Sequence, residues 1–370
     1  MSAGVVIAGG GLAAQRCADA LRQGGYEAPV RIVSAELHAP YDRPPLSKSF
    51  LAGDHGPADI RLRPDGWHGE RGIELVLGDA ATGLDPDARR LLLSSGEALP
   101  YEHLVIATGS RPRAIAQTAG FQNVHTLRTL DDAVRLRDAL RSGVRLVVLG
   151  AGLIGQEVAA TAGKLGALVT LVEAQVLPLG RALHPDLARW LVGVQREEGV
   201  DVLLGAQVAR FDGAGETLDA LVLRDGRRIE LDLLLVAIGV QPASDWLGQS
   251  VAELTHRPEI TAAGDVAGGD HWELAAHQGR AAAHAILGRE PAPAPLTSWW
   301  SDVHGIRIQG LGSPAGADAL HVDGDLTERS FTAIASAGGL PVAALAAARP
   351  RELPRLRGLL RPPNPEERAA

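Results

Sequence analysis

The chain has 370 residues, too many for one ordinary hydrophobic core, so two or three domains are expected. Its hydrophobic content of 46% fits a globular protein, and a formal net charge of −8 argues against nucleic acid as the main partner. A single cysteine, Cys17, rules out an intramolecular disulfide and any CxxC redox pair. No apolar run reaches the ~18–20 residues of a membrane span, and the first residues lack the basic region of a signal peptide, so no membrane association and a cytoplasmic setting are expected.

The first elements read as a βαβ unit. Val5 to Ile7 is a short apolar strand, Gly9 to Ala14 a turn, the helix runs to about Gln23, and Val30 to Val33 is a second strand with Glu36 just beyond it. The turn fits a dinucleotide fingerprint: Gly9 permits the bend, Gly11 admits a pyrophosphate, and Ala14 fills the third small position. The N–H groups at the helix start, around Leu12 and Ala13, would face phosphates. Glu36 stands somewhat beyond the roughly 20-residue offset usual for a ribose-binding carboxylate.

The next run is Pro40-Tyr41-Asp42-Arg43-Pro44-Pro45-Leu46-Ser47-Lys48. Its prolines are expected to hold the chain extended and present Arg43 and Lys48 from a stiff loop. Gly72 to Ala81 reads as a strand returning to the first sheet, and Leu91–Leu93 with Ala98–Tyr101 as a hairpin. Leu104 to Ile106 is a buried strand that exits through Ala107, Thr108 and Gly109, where the glycine allows close approach to a nucleotide. Thr129 is placed to cap a helix carrying Asp131 and Asp132 in its first turn.

A second fingerprint follows roughly 140 residues after the first. Val144 to Leu149 is a strand, Gly150-Ala151-Gly152-Leu153-Ile154-Gly155 a full GxGxxG, and Val169 to Val172 the next strand, ending at Glu173. One such motif is weak evidence; two in strand-turn-helix-strand context are not. Glu173 would bind a ribose 2′-hydroxyl and repel a 2′-phosphate, favouring NADH over NADPH, while Arg181 stands eight positions on and approaches from another loop.

His184 to Glu198 is expected as an amphipathic helix, Val200 to Leu204 as a strand, and Leu218–Leu223 with Arg228–Leu231 as a hairpin. Leu233 to Ile238 forms a buried strand that stops at Gly239. Asp265 follows Gly264 at another strand end, Trp272 comes next, and Leu274 to Leu287 is a helix. His271 and His277 are six apart, about 240° around a helix, so no metal site is expected from them. A proline-rich linker, Pro291 to Pro295, opens a last domain with strands at Ile306–Gly310, Arg329–Ala335 and Pro341–Ala346, then a helix with Arg351, Arg355 and Arg357.

The run Arg43 to Lys48 resembles the RPPLSK segment of the FAD-dependent ferredoxin and rubredoxin reductases, the oxygenase-coupled NADH reductases. Ala107–Pro112 as ATGSRP, Gly264-Asp265, and Trp299-Trp300-Ser301-Asp302, similar to an FWSD segment, extend the likeness over nearly the whole chain. The resemblance implies an α/β fold with two doubly wound, Rossmann-like FAD- and NAD-binding domains and a C-terminal α+β domain. The domains would be 1–112 and 240–290 for FAD, 113–239 for NAD, and 296–370 at the C-terminus.

It also implies roles. Arg43 and Lys48 lie along the flavin, Ala81 touches the adenine through its backbone, Arg128 stands on the flavin side, Asp265 binds the ribityl chain, and Trp272 and Trp300 adjoin the flavin, although Trp300 also reads as a plain core tryptophan. Glu157 pairs with Lys48 beside flavin N5, making these two the catalytic candidates. Between Pro242 and Ala263 the chain departs from the family pattern, which has a longer segment with a further strand and hairpin; this chain is shorter there by about a dozen residues. The implied activity is hydride transfer from NADH to FAD and onward transfer to a small iron–sulfur protein, a 2Fe–2S ferredoxin serving an oxygenase or cytochrome P450. Without a cysteine pair, electrons leave the flavin directly. Arg61, Arg63, Arg307, Arg351, Arg355 and Arg357 are candidates for docking an acidic partner. Two alternatives stay open: a reductase of small acceptors such as quinones, oxygen or organic radicals, and an NADH-sensing flavoprotein of the apoptosis-inducing-factor type. Monomer and homodimer are both compatible.

Overall fold

The computed structural model describes residues 3–269 and 271–360. The chain divides into two compact units. One comprises residues 1–42, 57–111 and 240–295; the other comprises 43–56, 112–239 and 296–370.

The first unit is built on a parallel sheet. Its strand order is Ile260–Ala262, His103–Ile106, Val5–Ala8, Val30–Ser34, Ile73–Leu77. Alternation along the strands sends Val5, Ile7 and Ile32 to one face and Val6, Ala8 and Val33 to the other. The first set packs with the helices Leu12–Gln23 and Trp272–Ile286, the second with Leu91, Leu93 and Leu99 of a three-stranded antiparallel sheet. Helices thus cover one face and strands the other. The two helices approach backbone to backbone: a Cβ on Gly279 would stand 2.2 Å from the Ala13 carbonyl oxygen.

The second unit repeats the plan. Its parallel sheet runs Asp201–Leu203, Leu168–Val172, Arg145–Leu149, Leu233–Val236, Val124–His125. The antiparallel strands Val208–Ala214, Thr217–Leu223 and Arg228–Glu230 cover one face, and the helix Leu153–Lys164 packs on the other through Gly155 and Val148. The same unit carries a five-stranded antiparallel sheet, Ser298–Val303, Ile306–Gly312, Ala319–Asp325, Ser330–Ala337 and Leu340–Ala347. It packs against the helix Pro185–Glu197 on one face and the short helix Leu353–Leu359 on the other.

Two expectations are corrected, and two regions gain elements that the sequence did not announce. The strand proposed for residues 72–81 ends at Leu77, because Gly78 takes φ +73°, and Ala81 opens Ala81–Asp85, which pairs antiparallel with Arg90–Leu93. The proline run is not extended: Pro44–Ser47 forms a 3-10 turn, since proline is tolerated where the first N–H groups have no partner, and Ser49–Ala52 continues as a helical turn. Val208–Ala214 and Ala319–Asp325 lack a clean apolar alternation and were not expected as strands. Residues 242–263 hold a 3-10 turn, the capped helical turn Val251–Leu254 and one strand, Ile260–Ala262, which joins the parallel sheet.

Replacing Gly279 by Ala should force the two helices of the first unit apart and cost roughly 1–3 kcal/mol. Gly163→Ala, at a helical position where a Cβ meets nothing within 4 Å, should stabilise by about 0.5–1 kcal/mol. Chemical denaturation of the two variants checks both signs.

Candidate functional site

Each fingerprint sits where its sheet reverses strand order. Gly9 N–H donates to Val33 O at 2.7 Å and Ala107 N–H to Ala8 O at 2.7 Å, stitching the turn to the neighbouring strands. Gly9 has φ +125°, and a Cβ there would lie 2.0 Å from the Ala107 carbonyl oxygen. The second turn matches: Gly150 has φ +105°, with the Ala237 carbonyl oxygen 2.4 Å from an added Cβ. Gly155 would carry a Cβ 2.0 Å from the Gly150 carbonyl oxygen, which accounts for the third glycine. Ala14, at the corresponding place in the first turn, is fully buried.

The middle glycines behave oppositely. A Cβ on Gly11 or Gly152 would meet nothing within 4 Å. Both are N-caps with extended backbone, neither has a side-chain cap, and no acidic residue occupies either first turn. The helices starting at Leu130 and Val251 instead have full capping boxes on Thr129 and Ser250. Leu12, Ala13 and Ala14, and likewise Leu153, Ile154 and Gly155, therefore begin helices at an open, positively polarised end suited to a pyrophosphate.

The acidic residues after the second strands are already engaged. Glu36 accepts from the Tyr41 hydroxyl at 2.5 Å. Glu173 accepts from Ala151 N–H and Gln175 N–H, both at 2.8 Å, so its carboxylate borders the glycine turn itself. Arg181 is exposed.

At the other strand ends of the first unit, Thr108 Oγ1 donates to Ala243 O at 2.7 Å and Gly109 O accepts from Ala243 N–H at 2.9 Å. Asp265 Oδ2 accepts from Ser110 Oγ at 2.6 Å, which orients that carboxylate. Gly264 has φ +81°, and an added Cβ would be 3.2 Å from Ala13 Cβ, so this strand end lies against the first helix. Trp272 opens its helix and donates Nε1–H to Asp42 at 2.7 Å. Ala81 lies at the start of its strand, partly buried.

In the second unit the Lys48–Glu157 pairing is present. Lys48 Nζ lies 2.6 Å from Glu157 Oε2, with side-chain exposures of 16% and 5%. Lys48 also donates to Pro44 O at 3.1 Å. Ser47 Oγ donates to Glu157 Oε2 at 2.5 Å and Ser301 Oγ to Oε1 at 2.7 Å. Arg43 Nη1 donates to Arg128 O at 2.6 Å, and Thr161 Oγ1 to Ser47 O at 2.9 Å, anchoring the proline run within this unit. Gly239 has φ +95° and accepts from Arg113 N–H at 3.0 Å. Trp299 is the core tryptophan of its strand, against Gly310, whereas Trp300 faces the opposite side with the Arg307 guanidinium 5.5 Å from its ring centre.

Sequence reasoning missed several polar groups. Ser47 and Ser301, both inside quoted motifs, carried no mark of their bond to Glu157. Gln156 and Gln195, fully buried, form a chain in which Gln195 Nε2 donates to Gln156 Oε1 at 2.6 Å, and His304 Nε2 meets Gln195 Oε1 at 2.8 Å. In the first unit Gln15 bridges Asp19 and His68, each at 2.7 Å. Gln15 and Asp19 stand at helical i,i+4 spacing, but the other partners lie 39 or more residues apart and leave no periodic signal.

Of the proposed docking arginines, Arg63 is bound to buried Asp19 and lies over Trp67, Arg61 pairs with Asp65, Arg307 with Asp302 and Arg355 with Glu352. Arg63 is thus a structural cation. Cys17 is fully buried, and burial pushes its thiol up to about 12, which disfavours the reactive thiolate. No cluster of metal-ligating side chains occurs among the described residues, and no helix there is long and apolar enough to cross a membrane.

Two glycine turns of this kind, each at the reversal point of a parallel sheet, define a protein built for two dinucleotides. The chain belongs to the pyridine nucleotide-disulphide oxidoreductase family, whose profile matches residues 3–279, and a reductase C-terminal domain matches 298–370. It is 37% identical to the ferredoxin–NAD(+) reductase component of the biphenyl dioxygenase system of Paraburkholderia xenovorans, over 87% of this chain and 84% of that one. It is 33% identical to putidaredoxin reductase of Pseudomonas putida, over 89% and 84%. Among solved structures, the covalent putidaredoxin reductase–putidaredoxin complex matches with a TM-score of 0.90 at 31% identity, covering 96% of this chain and 92% of that one.

Burial pulls His68, His125, His277 and His304 below the ordinary imidazole value of 6.5. Below that value the unfolded chain binds more protons than the folded one, so stability should fall as pH drops through 6.5 towards the folded values. A lower thermal midpoint at about pH 5.5 than at about pH 7.5, with a shallower slope in His68→Gln/His304→Gln, is the expected result.

Proposed function

We propose that this protein is an NADH-dependent FAD flavoprotein that passes electrons to a small iron–sulfur protein of the ferredoxin type, the carrier for an oxygenase or cytochrome P450. The observation that carries the reading is the pair of open glycine cradles together with the ion pair of half-buried Lys48 with buried Glu157 and a lone, fully buried cysteine. Relatives named as ferredoxin–NAD(+) reductase parts of dioxygenase systems, together with putidaredoxin reductase and its complex with putidaredoxin, support it.

FAD supplies hydride acceptance from NADH and single-electron donation; the chain supplies binding, orientation and charge. In this reading Gly9, Gly11, Leu12, Ala13 and Ala14 hold the FAD pyrophosphate, and Glu36, polarised by Tyr41, takes its ribose. Ala81, Ala107, Thr108, Gly109, Gly264, Asp265 and Trp272 complete the adenine-to-ribityl side, and Arg43, Lys48, Arg128 and Trp300 act on the flavin ring. Gly150, Gly152, Leu153, Ile154 and Gly155 hold NADH, with Glu173 on the ribose, Arg181 approaching from its loop and Gly239 at the strand exit. The Glu173 carboxylate at the turn disfavours a 2′-phosphate at close range, which selects NADH.

Lys48 is suited to its part by its contacts. Two of its three ammonium hydrogens are directed at Glu157 and Pro44, leaving one for a ligand atom. Glu157 offsets the half-buried cation, and its two serine donors satisfy the carboxylate, the condition under which a buried pair persists. A cytoplasmic setting, where NADH is the reductant, belongs to this proposal.

The purified protein should be yellow and should bleach under anaerobic NADH, and adding ferredoxin should raise NADH-driven turnover by orders of magnitude. A colourless product that takes up no flavin would overturn the assignment. An unstimulated rate with quinone or oxygen as acceptor would favour the small-acceptor reading. Reversing the charges of Arg351 and Arg355 should weaken ferredoxin transfer and flatten its salt dependence. Unchanged salt dependence would remove the C-terminal arginines from the docking surface.

A further inference from the structure

Glu157 is held from two directions, and its two oxygens have separate partners. Oε2 accepts from Lys48 Nζ at 2.6 Å and Ser47 Oγ at 2.5 Å, both from the proline run. Oε1 accepts from Ser301 Oγ at 2.7 Å, a residue from the C-terminal sheet that is 1% exposed. The terminal torsion of a glutamate is broad, so the backbone and the helix leave open which oxygen faces Lys48 and at what tilt. A donor reserved for Oε1 removes that freedom. Strand alternation explains how Ser301 reaches it: Trp299, Ser301 and Val303 face inward, whereas Trp300 and Asp302 face the other way.

We propose that Ser301 is the positioning residue of the Lys48–Glu157 pair, fixing the plane of the carboxylate so that the ammonium stays paired and its remaining N–H keeps one direction. Ser47 cannot do this alone, because it shares Oε2 with the lysine and restrains only one end of the group. The catalytic consequence rests on the function proposed above; the positioning itself is a property of the chain.

The chain has only two lysines, Lys48 and Lys164, and Lys164 is exposed on the helix that carries Glu157. Competitive acetylation of the full-length protein with limiting acetic anhydride, read by peptide mass spectrometry, therefore has a built-in reference. Lys48 should label far less than Lys164. Ser301→Thr, which keeps the hydroxyl, should leave that ratio near its original value, whereas Ser301→Val, nearly isosteric with the Thr variant but without a donor, should raise it by about tenfold, as expected for losing one donor to a charged group. Glu157→Gln sets the upper limit. Equal ratios in Thr and Val variants, whether both raised or both unchanged, would overturn the proposal, because the hydroxyl would then be irrelevant. Ser301→Ala, less demanding sterically, repeats the comparison if the Val variant folds poorly.

Stopped-flow reduction by NADH supplies the second readout: Ser301→Val should slow flavin reduction with NADH affinity unchanged, and Ser301→Thr should not. A wild-type flavin that NADH fails to reduce would refute the proposed function, while the labelling ratio would still decide the role of Ser301.

Discussion

The molecule depends on one kind of close approach, made twice. At Gly9 and at Gly150 the chain leaves a central parallel strand so tightly against the next strand that no side chain fits, with carbonyl oxygens 2.0 and 2.4 Å from where a Cβ would be. That contact brings the following helix start to the sheet edge. Two residues later, Gly11 and Gly152 border open space, and their helices carry no side-chain cap. Sealed behind and open in front, each turn offers backbone N–H groups to an anion, a preference of geometry and helix polarity rather than of any charged side chain.

Around this frame the buried polar groups are arranged to be satisfied. Glu157 would be costly alone in the interior, yet it meets a cation and two hydroxyls. Asp19 is matched by Gln15 and Arg63, and Gln156 by Gln195. These groups specify more than they stabilise: apart from Gln15–Asp19, which lies within one helix, the bonds join segments distant in the chain, so they restrain how separate elements meet. The C-terminal sheet contributes directly, since Ser301 reaches Glu157 and His304 reaches Gln195. The domain that follows the nucleotide folds is thus wired to the helix after the second fingerprint.

Much of this was legible in the residues. Continuous apolar strands, the two glycine turns and the third small positions Ala14 and Gly155 follow from local rules with a physical meaning, and the structure carries them at the expected places. Arg43 to Lys48 was also recognised, although its backbone was misjudged: prolines at the start of a turn are as compatible with a 3-10 helix as with an extended run. Ala81 was assigned to the wrong sheet because Gly78, at φ +73°, breaks the strand without disturbing the apolar pattern around it. Val208–Ala214 and Ala319–Asp325 were missed since each is largely exposed, and pairing alone makes them strands.

By itself, then, the amino-acid order determined that this protein has two dinucleotide-type βαβ units, no cysteine relay and a cation placed between prolines, because bends, periodicity and composition are properties of neighbouring residues. Tertiary structure alone decided which carboxylate oxygen Lys48 meets, that Ser47 and Ser301 share Glu157 with it, and that Arg63 serves a buried aspartate instead of the surface. Hydrogen bonds have no sequence period. They exist only once folding has brought donors and acceptors from remote segments within 3 Å or so of one another.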